Sequence, residues 1–479
     1  MFDQQELTPF QENVTLPPPE QLELHIRHGI AQAKQMTEQR RRRRKLTWLS
    51  GAAAVCLVLL LAITVRVSPA FASALGEVPG LQLFVKLVQG TSDQGIKLAV
   101  GNDFVQSVGV TDEKADASFT VEGIVADESR VVVFYAMRAK DSGKRVRLDR
   151  PEVRDASGNR LPTSISWGDP RELELNGTKK SDGLQRGLID IQVASGGSLP
   201  DQIVYHADYR LENVAAEPKM VRAGDTDPFL SAPPGRTEAA GTASFEVTIP
   251  IDKARFASMK RTYDLDHWVE ADGQRIHFTK ATVNPLRIAV EMEYDSANTM
   301  QIFDSVDMRL TDERGTVWRS IGGSSSGANR DIVYFESTYF HTGKELYLEG
   351  KRFRALDKER AEVVVNTDTA ELLRAPDEKL SLEEVSQTDR YTRISFKLKG
   401  IEEGDNMGYT VLEGQFKDAS GNLHQTGNFG GVVSSWTAGN QDEQTHFVYL
   451  NNETYPQPLT FPVYNYPSYL EVPFRIRIE

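Results

Sequence analysis

Hydrophobic positions along this chain follow three successive patterns. In "LPPPEQLELHIRHGIAQAKQ" a proline break is followed by Leu22, Ile26, Ile30 and Ala33 on one face of a predicted short helix. From Leu46 to Val65 no residue is charged. A helix of that length, at about 1.5 Å per residue, reaches about 30 Å, enough to span a bilayer. In "PGLQLFVKLVQG" (79–90), Leu81, Phe84, Val85 and Val88 recur at helical spacing and predict a juxtamembrane helix. Beyond it, period-two and β-branched runs separated by Gly, Asp and Asn predict strands and turns.

Those strand runs repeat. "SRVVVFYAMRA" (129–139), "LRIAVEMEYD" (286–295) and "TRISFKLKG" (392–400) each precede a second strand that enters a turn. The turns carry Asp155 and Gly158, Asp312 and Gly315, and Asp418 and Gly421 in one D-x-x-G pattern. There Gly supplies a positive φ and Asp bonds local backbone. Each repeat closes on an alternating strand: "ASFEVTIPID" (243–252), "AEVVVNTD" (361–368) and "LEVPFRIRIE" (470–479). A mainly β fold follows, with about three tandem β-sandwich domains after a single transmembrane helix and a short helical N-terminal segment. The expected boundaries are 1–45 for a cytoplasmic segment, 46–66 for the transmembrane helix and 67–112 for a juxtamembrane helix and linker. The sandwiches fall at 113–252, with a long loop at 215–241, then at 262–368 and at 379–479.

Charge orients the chain. The cluster Arg40, Arg41, Arg42, Arg43, Arg44 and Lys45 precedes the apolar stretch, and only Arg66 lies close on its other side. By the positive-inside rule the N-terminus is cytoplasmic and the later domains are extracytoplasmic. Forty-five residues before the stretch and its uncharged length favour a retained anchor over a cleaved signal. Cleavage after Ala72 or Ala74, in "SPAFASA", stays open. The short helix bearing Leu22, Ile26 and Ile30 has nothing of its own to pack on. It either binds a cytoplasmic partner through those residues, or continues the membrane helix inward or lies on the lipid. Residues 1–45 carry a net charge of +2 and the remainder −15, out of −13 in total. So acidic a bulk disfavours nucleic acid as a ligand.

Chemistry is sparse. Cys56 is the only cysteine and lies inside the apolar stretch, which excludes an intramolecular disulfide and a cysteine zinc site. "GSSSG" (323–327) matches the nucleophile-elbow pattern at Ser325, but strand-like "ANRDIVYFESTYF" follows where that elbow needs a helix, so an inter-strand loop is expected. His25 and His28 lack a third ligand. Asp225 and Asp227 lack the glycine and distal Glu of a calcium loop. Asn176 and Asn452 match the glycosylation acceptor pattern, which matters only in a eukaryotic secretory host. No catalytic residue, cofactor or metal site is expected, and the chain reads as a non-enzyme.

"LPPPEQLELHIRHGI" before a basic run, the single span, "VSPAFASALGEVPGL" after it and the first β repeat resemble a family of single-pass bacterial membrane proteins catalogued as a domain of unknown function. The later repeats resemble immunoglobulin-like domains appended to it in Gram-positive bacteria. Members are often encoded beside an extracytoplasmic-function sigma factor. The resemblance therefore implies a membrane-anchored regulator or sensor, anti-sigma-factor-like, with a sigma factor as cytoplasmic partner and an unknown ligand outside. The alternative is a cell-surface or secreted interaction module that binds wall polymer or protein. The chain departs from zinc-bearing anti-sigma factors, since residues 1–45 hold no cysteine.

Overall fold

The computed structural model describes residues 82–168, 183–194, 196–213, 243–325, 329–427, 435–439 and 442–479. The chain divides into two compact units, Met1–Arg66 and Val67–Glu479, and all described residues lie in the second. The expected span 46–66, the cleavage sequence and the loop 215–241 fall outside them. Among the described residues no helix is long and apolar enough to cross a membrane. They are mainly β.

Two short helices come first, α1 (Gln82–Gln89) and α2 (Gln94–Gly101). Asp93 caps α2 by accepting the Ile96 N–H at 3.1 Å. α1 buries Leu83, Phe84, Leu87 and Val88 and leaves Val85 half-buried, whereas the expected stripe ran through Leu81, Phe84, Val85 and Val88. Leu81 lies outside the described residues. The buried face is broader than a single stripe because α1 packs against α2 and a sheet together. The expected linker is structured too, since residues 94–112 form α2 and most of the first strand.

That strand, β1 (Gln106–Glu113), opens the first sandwich. β2 (Ala117–Ala126), β3 (Arg130–Ala139), β4 (Lys144–Arg154), β5 (Thr163–Trp167), β6 (Leu184–Val193), β7 (Gln202–Asn213) and β8 (Ala243–Pro250) complete it. A five-stranded sheet, β1-β2-β3-β6-β5, faces the three-stranded sheet β4-β7-β8. Phe119 stacks on Tyr135, Tyr205 and Phe245 in the core between them. The unbroken apolar run in β3 has a structural reason: Tyr135 faces that core while Phe134 meets Phe84 of α1, so both faces are covered. Gly123 makes the helix contact possible, because a Cβ there would sit 2.8 Å from the Phe84 ring.

The second sandwich holds β9 (Arg261–Ala271), β10 (Gln274–Val283), β11 (Arg287–Tyr294), β12 (Met300–Ser305), β13 (Arg309–Asp312), β14 (Val317–Ser325), β15 (Arg330–Glu336) and β16 (Leu346–Asp357). β14 turns its corner, pairing first with β13 and then with β15. The third holds β17 (Glu362–Asn366), β18 (Glu371–Arg374), β19 (Leu380–Gln387), β20 (Tyr391–Lys399), β21 (Gln415–Lys417), β22 (Leu423–Gln425), β23 (Ser435–Gly439), β24 (Glu443–Asn451) and β25 (Leu459–Pro462). The last strand, β26 (Tyr469–Arg477), returns to the second sandwich.

That return corrects the expected boundaries 262–368 and 379–479. The strand expected to close the second sandwich, 361–368, instead pairs through β17 with β25 of the third. The strand expected to close the third, 470–479, pairs through β26 with β16, and Leu470, Val472, Phe474, Ile476 and Ile478 fill the second core. The third sandwich is thus an insertion between β16 and β26. Alternation marks a strand with one buried face but not its partner, and these two strands alternate alike. Residues 323–325, expected in a loop, belong to β14 and pair with β15, so Ser325 sits in a hairpin arm and not on an elbow.

The D-x-x-G turns have the expected chemistry. Gly158, Gly315 and Gly421 have φ of +86°, +80° and +84°. In each turn one carboxylate oxygen accepts two backbone N–H groups, as Asp418 does from Ser420 and Asn422 at 2.8 and 3.0 Å. The other oxygen meets Asn159 in the first turn, His341 in the second and His424 in the third. The His424 contact, with the Asn422 and Ser420 bonds, holds the Asp418 carboxyl down at about 2.

His446, on β24, is fully buried in the third sandwich, and burial pushes its pKa down to about 4. An unfolded histidine titrates near 6.5, so between the two values the unfolded state holds an extra proton. Stability is therefore full above about pH 6.5 and falls on acidification toward pH 4, by about 3 kcal/mol in all. Denaturant melts at pH 7 and pH 4.5 check this. In His446→Gln that part of the slope should vanish.

Candidate functional site

The residues to which the sequence assigns partner or topological roles lie outside the described residues: Leu22, Ile26 and Ile30, and the cluster Arg40 to Lys45. The same holds for His25, His28, Asn176, Asp225 and Asp227. Asn452 is exposed and bonds the Asp389 carbonyl. Among the described residues no group of His, Cys, Asp or Glu is placed to hold a metal ion.

The structure builds a cleft that no sequence motif announced. Antiparallel register sets Val132, Phe134 and Ala136 of β3 directly opposite Asp190, Leu188 and Arg186 of β6. These rows share the face on which α1 lies. β5 forms the sheet edge and ends in Trp167, whose side chain stays 41 % exposed. Between α1, the start of α2 and these strands is a cavity of about 500 Å³, lined by Lys86, Leu87, Ile96, Val132, Trp167 and Leu188 among others.

Two buried arginines also line it. Arg186, 5 % exposed, donates through Nε to both oxygens of Glu122, at 3.0 and 3.2 Å. Burial holds the Glu122 pKa above its ordinary value, against the pull of that guanidinium. Arg130 is fully engaged. It forks onto Asp190 with two bonds of 2.8 Å, reaches Asp93 at 2.7 Å and donates to the Leu286 carbonyl at 3.1 Å. Burial alone would lower its pKa, but Asp190 and Asp93 raise it above the usual value.

Arg130 also belongs to a polar joint between the first two sandwiches. Asp127 accepts the Leu286 N–H at 2.7 Å through one oxygen and the Ser129 and Arg130 N–H groups through the other. Arg287 donates to the Val193 carbonyl at 2.9 Å and lies 3.9 Å over the Tyr334 ring. The first residue of α2, Gln94, donates its N–H to Glu336 at 3.0 Å, a favourable place for a carboxylate at a helix N-terminus. Next to it a Cβ on Gly95 would stand 2.6 Å from the Ser337 nitrogen, so only glycine permits this approach.

Among the described residues that line the cleft there is no histidine, cysteine or glutamate, and their one carboxylate, Asp190, is held by Arg130. Sequence reasoning passed over the cleft because its charges sit inside an apolar strand, "LQRGLIDIQV". Arg186 and Asp190 at alternate positions around Leu188 were the available signal.

Fold and cleft together define a mainly β chain whose first sandwich carries a helical hairpin over a ligand-sized cavity. Residues 41–139 match a "Domain of unknown function (DUF4179)", and residues 260–374 match a "Family of unknown function (DUF5643)". The first match runs from the basic cluster through the hairpin to β3, and the second begins just before β9 and ends in β18. Both fit the resemblance to a family of unknown function. No curated protein matches the chain. A solved structure from Bacillus anthracis, "The crystal structure of the conserved domain protein", is similar at 12 % identity and a TM-score of 0.34. It overlaps 56 % of this chain and 84 % of that one, a likeness too loose to carry an argument.

Proposed function

We propose that the chain is a single-pass, membrane-anchored regulator or sensor of the anti-sigma-factor-like kind, without enzymatic activity. Its N-terminus is cytoplasmic, and its sandwiches, of immunoglobulin-like type, are extracytoplasmic. The observation that carries this reading is the seating of the α1–α2 hairpin, the first described structure after the apolar stretch. α1 fills the outer face of the first sandwich, while Asp93 and Gln94 bond into the joint with the second. A change in the outer domains therefore has a stiff route to the chain that leads to the membrane. A module that merely displays binding domains has no need of that coupling.

The test combines topology with partner binding. Alkaline phosphatase fused at residue 100 should be active and at residue 39 inactive, and immunoblots should show no shortened product. Purified residues 1–45 should retain a sigma factor encoded beside the gene, and Ile26→Asp should abolish retention. If no such factor is retained, or if deleting residues 2–39 leaves function intact, the reading fails in favour of a cell-surface interaction module.

A further inference from the structure

We propose that the cleft beneath α1 is a binding site for a small carboxylate with an aliphatic or aromatic body, held by the terminal nitrogens of Arg186. The proposal rests on the reading of the outer region as the receiving part, and it names what that part receives.

Size comes first. A cavity of about 500 Å³ lies within the range of small-molecule sites. Its walls from Leu87, Ile96, Val132 and Leu188 are apolar, and Trp167 forms the rim, so the body of an occupant must be apolar too. A tryptophan left 41 % exposed at the end of an edge strand gains cover when that body sits against it.

The polar anchor follows from counting donors. Arg130 lines the cleft but spends its guanidinium on Asp93, Asp190 and the Leu286 carbonyl. Arg186 makes its hydrogen bonds through Nε alone, both to Glu122. Among the described residues its two Nη groups have no hydrogen-bond partner, though the side chain is more than nine-tenths buried. They are not sealed from solvent, since no Arg186 atom is among the fully enclosed unpaired groups, and the cavity this side chain lines is where they open. Burying a guanidinium with idle donors is unfavourable. A planar carboxylate is the group that takes two of them side by side. Lys86, half-buried on α1, adds positive charge to the lining, while Asp190, the one carboxylate among the described lining residues, is already paired with Arg130. A cationic ligand would meet, among the charged groups of the described lining, only Asp190, already paired with Arg130, and an inorganic anion would leave the apolar walls empty.

Position links binding to the rest of the molecule. Lys86 and Leu87 lie on α1, Ile96 on α2, and Arg130 ties this wall to the second sandwich. An occupant bridging α1 to β6 holds the hairpin on its sheet and so biases the joint that Asp93 and Gln94 enter.

The experiment uses the full chain in nanodiscs and isothermal titration with benzoate, checked by quenching of tryptophan fluorescence. Benzoate should bind with a Kd below about 10 mM, and benzamide, its uncharged counterpart, should bind at least about tenfold more weakly. Inorganic phosphate should not compete. Trp167→Phe should remove most of the quenching, and Trp167→Ala, a change at an exposed site, should weaken binding. Because Arg186→Gln alone strands Glu122, the anchor is tested in the double variant E122Q/R186Q, which should keep its fold by circular dichroism and lose at least about tenfold in affinity. Equal binding of benzoate and benzamide, undiminished binding to E122Q/R186Q, effective competition by phosphate or no benzoate binding at all would each overturn the proposal. Should the double variant not fold, the benzamide and Trp167→Ala comparisons decide. None of these readouts involves residues 1–45, so failure here and failure to retain a sigma factor are separate results.

Discussion

Arg130→Ala should destabilise the chain by about 3–5 kcal/mol and loosen the helical hairpin from both sandwiches it joins. Arg130 is 3 % exposed, and its guanidinium compensates two carboxylates at once, Asp93 at 2.7 Å and Asp190 at 2.8 Å. Removing it leaves the buried Asp93 carboxyl without its guanidinium partner, takes a donor from the Leu286 carbonyl and opens space beside the cleft. The damage comes chiefly from the stranded partners. Had both sides been built apolar the site could be equally stable, which is why truncating one member is so costly. Arg130→Lys keeps the charge but cannot fork onto Asp190 while also reaching Asp93, so it should fall between wild type and Arg130→Ala. Guanidinium chloride melts measure the loss. Hydrogen exchange should show faster amide exchange over residues 82–101 and near Leu286, with β20 and β24 of the third sandwich unchanged. A loss below about 1 kcal/mol would mean that the cluster behaves as a solvated surface pair and does not latch the hairpin.

How much of this was legible in the sequence depends on the range over which each feature is decided. The D-x-x-G turns are decided within five residues, and Asp155, Asp312 and Asp418 each bond the backbone as their spacing implies. Strand existence is similarly local: "SRVVVFYAMRA" is β3 and "TRISFKLKG" is β20. Partner choice is not local. β16 finds β26 across more than a hundred residues, past a whole inserted sandwich, and period two says nothing about which strand lies opposite. The cleft was invisible for the same reason. Arg130 meets Asp93 and Leu286 across 37 and 156 positions, and Glu122 meets Arg186 across 64. An arginine inside an apolar strand was the local trace these contacts left. The juxtamembrane stripe was found in part, because Phe84 and Val88 obey helical spacing, while Leu83 and Leu87 are buried only through a second contact face.

The second large effect tests the inserted topology itself. Asp405→Ala should cost about 3–5 kcal/mol and should uncouple the unfolding of the second and third sandwiches. Asp405 is 1 % exposed and accepts Arg354 Nη2 at 2.6 Å and Nε at 3.1 Å, the Tyr469 hydroxyl at 2.9 Å and the Tyr409 hydroxyl. Arg354 belongs to β16 and Tyr469 to β26, the two strands that leave and re-enter the second sandwich, whereas Asp405 and Tyr409 lie in the insertion. One carboxylate therefore ties both crossings to the inserted domain. Burial would raise its pKa, but Arg354 and Tyr409 hold it below the ordinary value. The cluster's contribution is accordingly complete above the unfolded carboxylate range near pH 4 and is lost as pH falls through the lower folded value. Loss of the carboxylate takes from the buried Arg354 guanidinium its closest counter-charge, leaving Asp304 at 3.8 Å and the Ser305 carbonyl, and removes the acceptor that the Tyr409 and Tyr469 hydroxyls share. In the double variant D405L/R354M neither member of the buried pair is left without the other, and Asp304, 3.8 Å from Arg354, is half exposed to solvent, so much of the stability should return, giving a coupling energy well outside the roughly 0.5 kcal/mol expected of independent sites. Calorimetry reads the rest. Wild type should unfold these two sandwiches in one transition, and Asp405→Ala should split it. A single transition retained at lower temperature would assign the coupling to the β16–β26 ladder, whose backbone pairing Asp405→Ala leaves in place.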